Sequence, residues 1–277
     1  MYFNQIKKHL VFVYIVFLII TLLPFVNSGL KTIKNSNPKP ELFKIELSQF
    51  KSISDLTAYI DGIYTVKYSK EKMDTAAYVN ICSEIIQHRF YHGQSNYSIN
   101  ENWIALICGK LFWSHLSAIV IPDDILNYNE ALCSQQAIVF MEVLNSKGIS
   151  SRWVGWGKKE GPGHFLTEVF YNNDWHLYDI NKEPQWQKIT NRHNSMSYYL
   201  NNKDSLSIIY NGLIDKATLS VFLKQIRYGQ PNEFPAKKML LFHRATKTIT
   251  YLLPLFFMFL IIRHFKNRNK KHKEFRV

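Results

Sequence analysis

Two apolar runs without a single charge lie near the ends of the chain and constrain its fold more than any other feature. Residues 10–26 form a run of seventeen, and residues 248–262 form a run of fifteen. A helix that crosses the hydrocarbon core of a bilayer needs about 20 apolar residues, with roughly 17 as the lower end. The first run reaches this minimum, and the second reaches it if Lys247 and Arg263 snorkel to the interface. We therefore expect two membrane helices with residues 27–247 on one side of the membrane.

The first run has a second interpretation. Val26, Asn27 and Ser28 are small or compact residues at the offsets where a signal peptidase could cut, so the run could be a cleaved signal peptide. Its apolar stretch is long for a signal peptide, and we favour an uncleaved anchor. The sequence leaves the cleavage open.

Basic residues set the expected orientation. Residues 263–277 carry seven basic residues and one acid, so the positive-inside rule predicts a cytoplasmic tail. The chain then divides into a short N-terminal segment (1–9), a first membrane helix or signal anchor (10–26), a stalk (27–47), an extracytoplasmic domain (48–245), a second membrane helix (248–262) and a basic cytoplasmic tail (263–277).

The net charge of the chain is +13, but it is unevenly distributed. Residues 1–8 carry two lysines and no acid, and with the C-terminal tail they account for more than half of the excess. A nucleic-acid binder usually spreads its basic residues over one face of a domain. The distribution therefore argues against nucleic acid as a partner.

The domain between the two runs changes from helical to strand-like patterns along the chain. Asp74 precedes one apolar helical pattern as a helix cap, and Asn100 precedes another. Residues 133–147 predict a further helix that Gly148 would end. Stretches rich in aromatic and β-branched residues then predict strands at 152–156, 164–171 and 175–180. A helix that leads into an antiparallel sheet is an α+β arrangement, and α+β is the fold class that we expect.

Cys133, His164 and Asp179 occur in this order along the chain, and each lies in a predicted element where a thiol enzyme needs it. Cys133 opens a predicted helix, where unpaired backbone N–H groups and the helix dipole favour a thiolate. A cysteine nucleophile also needs an imidazole to take its proton and a third group to orient the imidazole. His164 and Asp179 lie on two successive predicted strands. Taken singly, the three could be an inert buried thiol, an exposed strand histidine and a turn aspartate.

The geometry of the predicted hairpin makes the pairing of His164 with Asp179 testable. If Asn172 and Asn173 form a two-residue loop, His164 lies opposite residue 181. Asp179 is then a diagonal neighbour on the same face of the sheet, roughly 7–8 Å away at the backbone. A three-residue loop would turn Asp179 to the opposite face. The catalytic assignment therefore requires the shorter loop.

The surroundings of these residues resemble the transglutaminase-like cysteine superfamily. Members have a Cys at a helix start, a Gly-Ile pair and an Arg entering the first strand, a His before an apolar strand, and a Trp shortly before an Asp. The matching stretches are Ala131-Leu-Cys133-Ser-Gln-Gln-Ala137, Leu144-Asn-Ser-Lys-Gly148-Ile149-Ser-Ser-Arg152-Trp-Val154-Gly155, His164-Phe-Leu-Thr-Glu168-Val169 and Trp175-His-Leu-Tyr-Asp179. The resemblance covers about residues 125–185.

The resemblance implies a papain-like or transglutaminase-like core, with the Cys-bearing helix packed on an antiparallel sheet. It implies Cys133 as nucleophile, His164 as general base and acid, and Asp179 as the orienting carboxylate. The chain departs from the family pattern in having Ala131 where glycine is usual and Ile180 after the aspartate. These departures leave substrate preference open.

The resulting functional hypothesis is a bacterial, membrane-anchored thiol enzyme that transfers acyl groups or hydrolyses amide bonds, with a protein or peptide substrate of the cell envelope. The alternative is a non-catalytic, membrane-tethered binding module that retains the fold. We expect membrane lipid as a partner and no cofactor or metal, and the oligomeric state is open. The second oxyanion-hole donor is unassigned, with Trp103 and Trp113 as candidates by position only. Cys82 and Cys108 could form a disulfide or stay as free thiols.

Overall fold

The computed structural model describes residues 2–26, 43–68, 73–157, 163–182, 184, 186–188 and 193–274. The chain forms two compact units. The terminal-helix unit contains Met1–Asn35, Asn96–Ala118 and Lys238–Val277, and the sheet unit contains Ser36–Ser95 and Ile119–Lys237. The domain boundaries drawn from the sequence stay a prediction. Most of the predicted stalk, residues 27–42, lies outside the described residues.

Helices account for most of the described chain. In chain order they are α1 (Tyr2–Leu22), α2 (Ile53–Tyr68), α3 (Thr75–Arg89), α4 (Ile99–Leu111), α5 (Pro122–Ile125), α6 (Cys133–Ser146), α7 (Met196–Asn201), α8 (Lys203–Ile209), α9 (Lys216–Phe222) and α10 (Lys237–Glu274). Short 3-10 helices occur at Leu23–Phe25, Ile45–Gln49, Ser114–Leu116 and Trp186–Lys188. The predicted cap is present at α3, where the Asp74 carboxylate accepts a hydrogen bond from the Ala77 N–H at 3.2 Å.

The strands form two sheets in the sheet unit. They are β1 (Tyr91–His92), β2 (Glu130–Ala131), β3 (Ser151–Gly157), β4 (Gly163–Tyr171), β5 (Asp174–Tyr178) and β6 (Ile226–Tyr228). The main sheet has the order β5-β4-β3-β6 with every neighbouring pair antiparallel, and β1 pairs with β2 in parallel. Helix α6 contacts β3 and β4. The expected α+β class, with the Cys-bearing helix on an antiparallel sheet, is confirmed.

The hairpin between β4 and β5 has the loop that the sequence predicted. Asn172 and Asn173 have φ values of 51° and 61°, the left-handed conformation that a two-residue hairpin loop requires. Tyr171 pairs with Asp174, and the register continues to the pair of Thr167 with Tyr178. The predicted register is therefore confirmed.

The core of the sheet unit on one side of the main sheet is aromatic and aliphatic. Side chains of β3, β4 and β5 meet those of α7, α8 and α9 there, and the burial of their apolar surface favours folding. The buried members are Val154, Trp156, Leu166, Leu177, Trp186, Met196, Tyr199, Leu206, Ile209, Tyr210 and Leu219.

In the terminal-helix unit, the second apolar run is the stronger candidate for a membrane span, although the first run is longer in the sequence. Within the described residues, one helix, Lys237–Asn267, is long and apolar enough to cross a membrane, with a mean hydropathy of 1.8 over its most apolar 18 residues. The apolar part of α1 is shorter, His9–Leu22. The first run loses length because Pro24 has no backbone N–H and disfavours helical backbone in the residue before it, and the run ends as a 3-10 turn. The second run gains length because α10 continues past it on both sides.

Helix α1 begins at Tyr2. One further boundary differs from the expectations. Asn100 lies inside α4, whose N-terminus is at Ser98 instead; the Glu101 carboxylate accepts a hydrogen bond from the Ser98 N–H at 2.8 Å. A reciprocal cap of this kind satisfies backbone groups at the start of a helix.

Candidate active site

Cys133, His164 and Asp179 meet at one point of the sheet unit. Asp179 directly follows β5, and its Oδ2 lies 2.6 Å from Nε2 of His164 on β4. The Cys133 side chain lies close enough to the same imidazole to raise its pKa. Because Nε2 is engaged by the carboxylate, Nδ1 is the ring nitrogen left for the sulfur. The order is therefore thiol, imidazole, carboxylate, as a nucleophile, a base and an orienting group require.

The three side chains differ in their solvent accessibility. His164 is 7% exposed and Asp179 is 1% exposed, whereas Cys133 is only half-buried. A nucleophile must be reachable by its substrate, while burial of the histidine and the carboxylate strengthens the interaction between them. The arrangement presents the sulfur at the surface and holds the two supporting groups beneath it.

Four donors hold the Asp179 carboxylate. Besides His164, the Tyr210 hydroxyl donates to Oδ2 at 2.7 Å. The backbone N–H groups of Asn181 and Lys182 donate to Oδ1 at 3.2 and 3.0 Å. A buried carboxylate with this many donors is satisfied as an anion and fixed in orientation.

Sequence reasoning missed Tyr210. This residue follows α8 and lies 31 positions after Asp179, so no local spacing connects the two. The Tyr210 ring packs against Trp156 at 5.4 Å, and Trp156 is also 5.9 Å from the His164 ring. Trp156 pairs directly with His164 across β3 and β4. The two aromatic residues thus exclude water from the imidazole and the carboxylate.

The electrostatics of the pair favour its ionised form. Burial by itself lowers the pKa of His164, but the Asp179 carboxylate, with a smaller contribution from the Cys133 sulfur, outweighs burial and raises the pKa above its ordinary value of 6.5. Burial raises the pKa of Asp179, and the charge and hydrogen bond of His164, followed by the Tyr210 hydroxyl, overcome it and lower that pKa. The geometry therefore stabilises an imidazolium beside a carboxylate.

Gln135 stabilises the turn that precedes Cys133 by hydrogen bonds to backbone groups. Its side-chain oxygen accepts hydrogen bonds from the backbone N–H groups of Leu132 at 3.0 Å and Ser95 at 3.2 Å. Its side-chain nitrogen donates to the carbonyl oxygens of Ser95 and Ile119, both at 2.9 Å. The glutamine is buried and uses all four of its hydrogen-bonding positions, so it ties three chain segments to the start of α6.

A second histidine, His92, is linked to the site by strand pairing and a hydrogen bond. His92 on β1 pairs with Ala131 on β2, two residues before Cys133. The Asn181 side-chain amide donates to Nδ1 of His92 at 2.9 Å, and Asn181 also contacts Asp179 through its backbone. These contacts connect the strand that precedes the nucleophile to the turn that follows the carboxylate.

The sequence also singled out two cysteines and two tryptophans outside the proposed triad. Cys82 and Cys108 are free thiols, the first buried and the second partly exposed. Trp103 and Trp113 belong to the terminal-helix unit, and the second oxyanion-hole donor stays unassigned. In the part of the chain that the structure describes, no three His, Cys, Asp or Glu side chains are grouped as metal ligands would be.

Comparisons with known proteins give weak likenesses. No family model and no curated protein matches the chain. The chain is similar to a solved structure of a candidate cysteine protease from Cytophaga hutchinsonii, with 11% identity and a TM-score of 0.31, over 53% of this chain and 43% of that one. It is similar to a structure described as a TGase, with 13% identity and a TM-score of 0.32, over 70% and 46% of the two chains.

A third solved structure is Rad4–Rad23 bound to a 6-4 photoproduct UV lesion. Its identity to this chain is 12% and its TM-score 0.28, over 64% of this chain and 40% of that one. The chain spans less than half of the length of each of these three solved chains.

Proposed function

We propose that this chain is a membrane-anchored, transglutaminase-like thiol enzyme that works by acyl transfer or hydrolysis on amide bonds. The observation that carries the proposal is the contact of 2.6 Å between His164 and Asp179, together with the Cys133 side chain, which lies close enough to the imidazole to raise its pKa. A scaffold has no physical need for a half-exposed thiol joined to a buried ion pair. An enzyme that forms a thioester needs each of the three groups.

The proposed reaction has two steps. The Cys133 sulfur, having given its proton to His164, attacks the carbonyl carbon of an amide. The carbon–nitrogen bond then breaks, His164 returns the proton to the leaving amine, and a thioester remains on Cys133. In the second step His164 takes a proton from a water or an amine that attacks the thioester, and the sulfur leaves. Water makes the enzyme a hydrolase, whereas an amine makes it a transferase.

Asp179 acts through His164 in this scheme. Its carboxylate holds the Nε2–H, which keeps Nδ1 facing the sulfur and stabilises the imidazolium formed when the thiol ionises. The negative charge of Asp179 stabilises the site only while His164 is protonated. Removal of that charge should therefore slow the reaction more than it lowers the stability of the fold.

We further propose that α1 and α10 anchor the enzyme as an antiparallel pair of membrane helices. The rings of Phe17 and Phe257 stack at 5.3 Å, and those of Phe25 and Tyr251 are 5.2 Å apart, which supports opposite chain directions. The positive-inside rule then favours a cytoplasmic tail and a sheet unit outside the cytoplasm. The proposed substrate is a protein or peptide on that side of the membrane.

Thiol alkylation tests the enzyme proposal, with Cys108 as an internal reference. The purified chain is treated with iodoacetamide between about pH 5 and about pH 9, and each cysteine is followed by peptide mass spectrometry. An ordinary thiol has a pKa of about 8.5 and is mostly unreactive near pH 6. We expect Cys133 to react at least roughly tenfold faster than Cys108 at that pH.

Variants of the other two residues complete the test. His164→Gln should abolish the excess reactivity of Cys133, and Asp179→Asn should reduce it, while Cys108 is unchanged in both. A response of Cys133 that matches Cys108 at every pH in the unmodified chain would favour the binding module over the enzyme.

A further inference from the structure

The terminal-helix unit exposes a contiguous group of large apolar side chains at the end of α4. Ile107, Leu111, Phe112 and Trp113 have 44%, 71%, 77% and 55% of their surfaces exposed, and we call these four residues the apolar edge. Soluble proteins expose single apolar residues commonly, but a continuous group of aromatic and aliphatic side chains marks a surface that contacts something else.

Buried polar contacts hold the segment that carries the apolar edge against α10. The Asn102 side-chain nitrogen, in a residue with no exposed surface, donates to the Thr246 hydroxyl at 2.9 Å. His243 Nε2 donates to the Leu116 carbonyl oxygen at 2.9 Å. Both ends of the segment are therefore attached to one short stretch of α10, and the apolar edge lies between the two attachments.

The position of these attachments along α10 sets their depth. His243 and Thr246 precede Thr248, the first residue of the apolar run, by five and two positions. At a rise of 1.5 Å per residue the run is about 22 Å long, so a hydrocarbon core of about 30 Å extends about 4 Å past each of its ends. Thr246 then lies at the edge of the core, and His243 lies about 4 Å outside it. The segment is thus attached at the boundary between the hydrocarbon core and the headgroup layer.

The end of α1 packs against α10 about 7–12 Å deeper than these attachments. The Phe25 ring contacts Tyr251, three residues into the apolar run of α10. The α4 segment also contacts the 3-10 turn Leu23–Phe25 that ends the first run. Tryptophan and tyrosine are enriched at membrane–water interfaces because their rings are apolar and carry one polar atom. Lys110 and Arg244 are exposed and supply positive charge for lipid phosphates.

We propose that the apolar edge inserts shallowly into the leaflet from which α10 emerges, so that the partner of this surface is the boundary between lipid headgroups and acyl chains. This inference rests on the proposed membrane anchoring by α10. The apolar edge then adds a second, non-spanning contact with the bilayer beside the anchor.

Lipid-based quenching in the full-length protein tests the inference. Cys108 and Cys133 are replaced by Ser, Cys82 stays because it is buried, and a bimane label is attached to Phe112→Cys. The substituted side chain is largely exposed, so the change leaves the core intact. The protein is reconstituted into vesicles of phosphatidylcholine and phosphatidylglycerol that contain lipids with nitroxide groups at shallow or deep positions.

Two further labels serve as controls. Phe256→Cys probes the exposed surface of α10 in the proposed span, and Ser54→Cys probes the exposed surface of α2. We expect the Phe256→Cys label to be quenched most by the deep nitroxide and the Ser54→Cys label only by iodide in the water. We expect the Phe112→Cys label to be quenched about twofold or more by the shallow nitroxide, and less by the deep nitroxide.

The outcomes separate the inference from the anchoring on which it rests. Failure of lipid quenching at Phe256→Cys overturns the anchoring. Deep quenching at Phe256→Cys with iodide quenching alone at Phe112→Cys overturns the inference and leaves the anchoring intact. Protection of Phe112→Cys from both quenchers also overturns the inference, because a protein contact then covers the apolar edge.

Discussion

At the scale of single residues, the Tyr210 hydroxyl orients the Asp179 carboxylate but takes no part in the proposed reaction. Its loss should therefore show how much the reaction depends on the orientation of the triad. The hydroxyl donates one of four hydrogen bonds to a buried carboxylate, and a hydrogen bond to a charged group contributes about 1.5–3 kcal/mol. We expect Tyr210→Phe to lower the free energy of unfolding by that amount. Alkylation of Cys133 should slow as well, because His164 is held less firmly.

The matched control for this substitution is Tyr199→Phe. Tyr199 is equally buried in the same apolar core, but its hydroxyl is not among the donors to Asp179. The control should leave the alkylation rate of Cys133 unchanged. Equal slowing in the two variants would show that general loosening of the core, and not the carboxylate contact, controls reactivity.

The ion pair of His164 and Asp179 predicts how stability depends on pH. The folded state raises the pKa of His164 above 6.5, so its contribution is fully present below about pH 6.5 and is lost as the pH rises through the folded-state value. The slope approaches about 1.36 kcal/mol per pH unit within that window. Asp179 contributes in the opposite sense, because its lowered pKa makes its stabilisation disappear only in acid.

The measurement needs a background in which the thiol does not titrate. Urea unfolding of the detergent-solubilised chain is followed by tryptophan fluorescence for Cys133→Ala and for Cys133→Ala combined with His164→Gln. We expect the difference in free energy of unfolding between the two to shrink as the pH rises above about 6.5. A difference that stays constant across that range contradicts the raised pKa.

At the scale of elements, the start of α6 depends on one of two adjacent glutamines. Gln135 makes four hydrogen bonds to backbone groups, whereas Gln136 donates one, to the Ala131 carbonyl oxygen at 3.0 Å. Buried groups that lose their partners cost about 1–3 kcal/mol each. With four groups affected against one, we expect Gln135→Met to destabilise the sheet unit by at least about 4 kcal/mol and Gln136→Met by about 1–3 kcal/mol.

Reactivity should follow the same order. Because Gln135 shapes the turn before Cys133, Gln135→Met should also slow alkylation of that thiol, and Gln136→Met should change it little. Differential scanning fluorimetry and the iodoacetamide assay give the two readouts. Similar effects of the two substitutions on the alkylation rate would show that Gln135 does not position Cys133.

The elements that the sequence predicted are those specified by neighbouring residues. Asn172 and Asn173 tolerate positive φ, which sets the loop length and hence the face on which Asp179 lies. Asp74 satisfies the first backbone N–H groups of α3 locally. Strand β6 was not predicted, because three residues carry too little periodicity and their pairing partner is far away in the chain.

At the scale of the whole molecule, contacts between distant segments were beyond the reach of sequence patterns. Asn102 contacts Thr246 across 144 positions, and both residues belong to the terminal-helix unit. Similarly, Tyr210 reaches the candidate site only because α8 packs over the sheet. Local periodicity reports which side of an element is buried, but not which element covers it.

Topology gives the prediction at this scale. We expect a cysteine at Lys271 to be shielded from membrane-impermeant thiol reagents in intact cells and a cysteine at Ser54 to be labelled, because the basic tail should stay in the cytoplasm. Permeabilised cells supply the control, in which both positions should react. Labelling at Lys271 alone in intact cells would reverse the orientation.

The distance in sequence between Asp179 and Tyr210 has a consequence for the timing of biosynthesis. During translation the thiol, the imidazole and the carboxylate all leave the ribosome before the tyrosine that holds the carboxylate. A nascent chain that ends before residue 210 therefore carries all three reactive groups without their last support. If Tyr210→Phe slows alkylation as expected, Cys133 reaches full reactivity only after α8 has docked on the sheet.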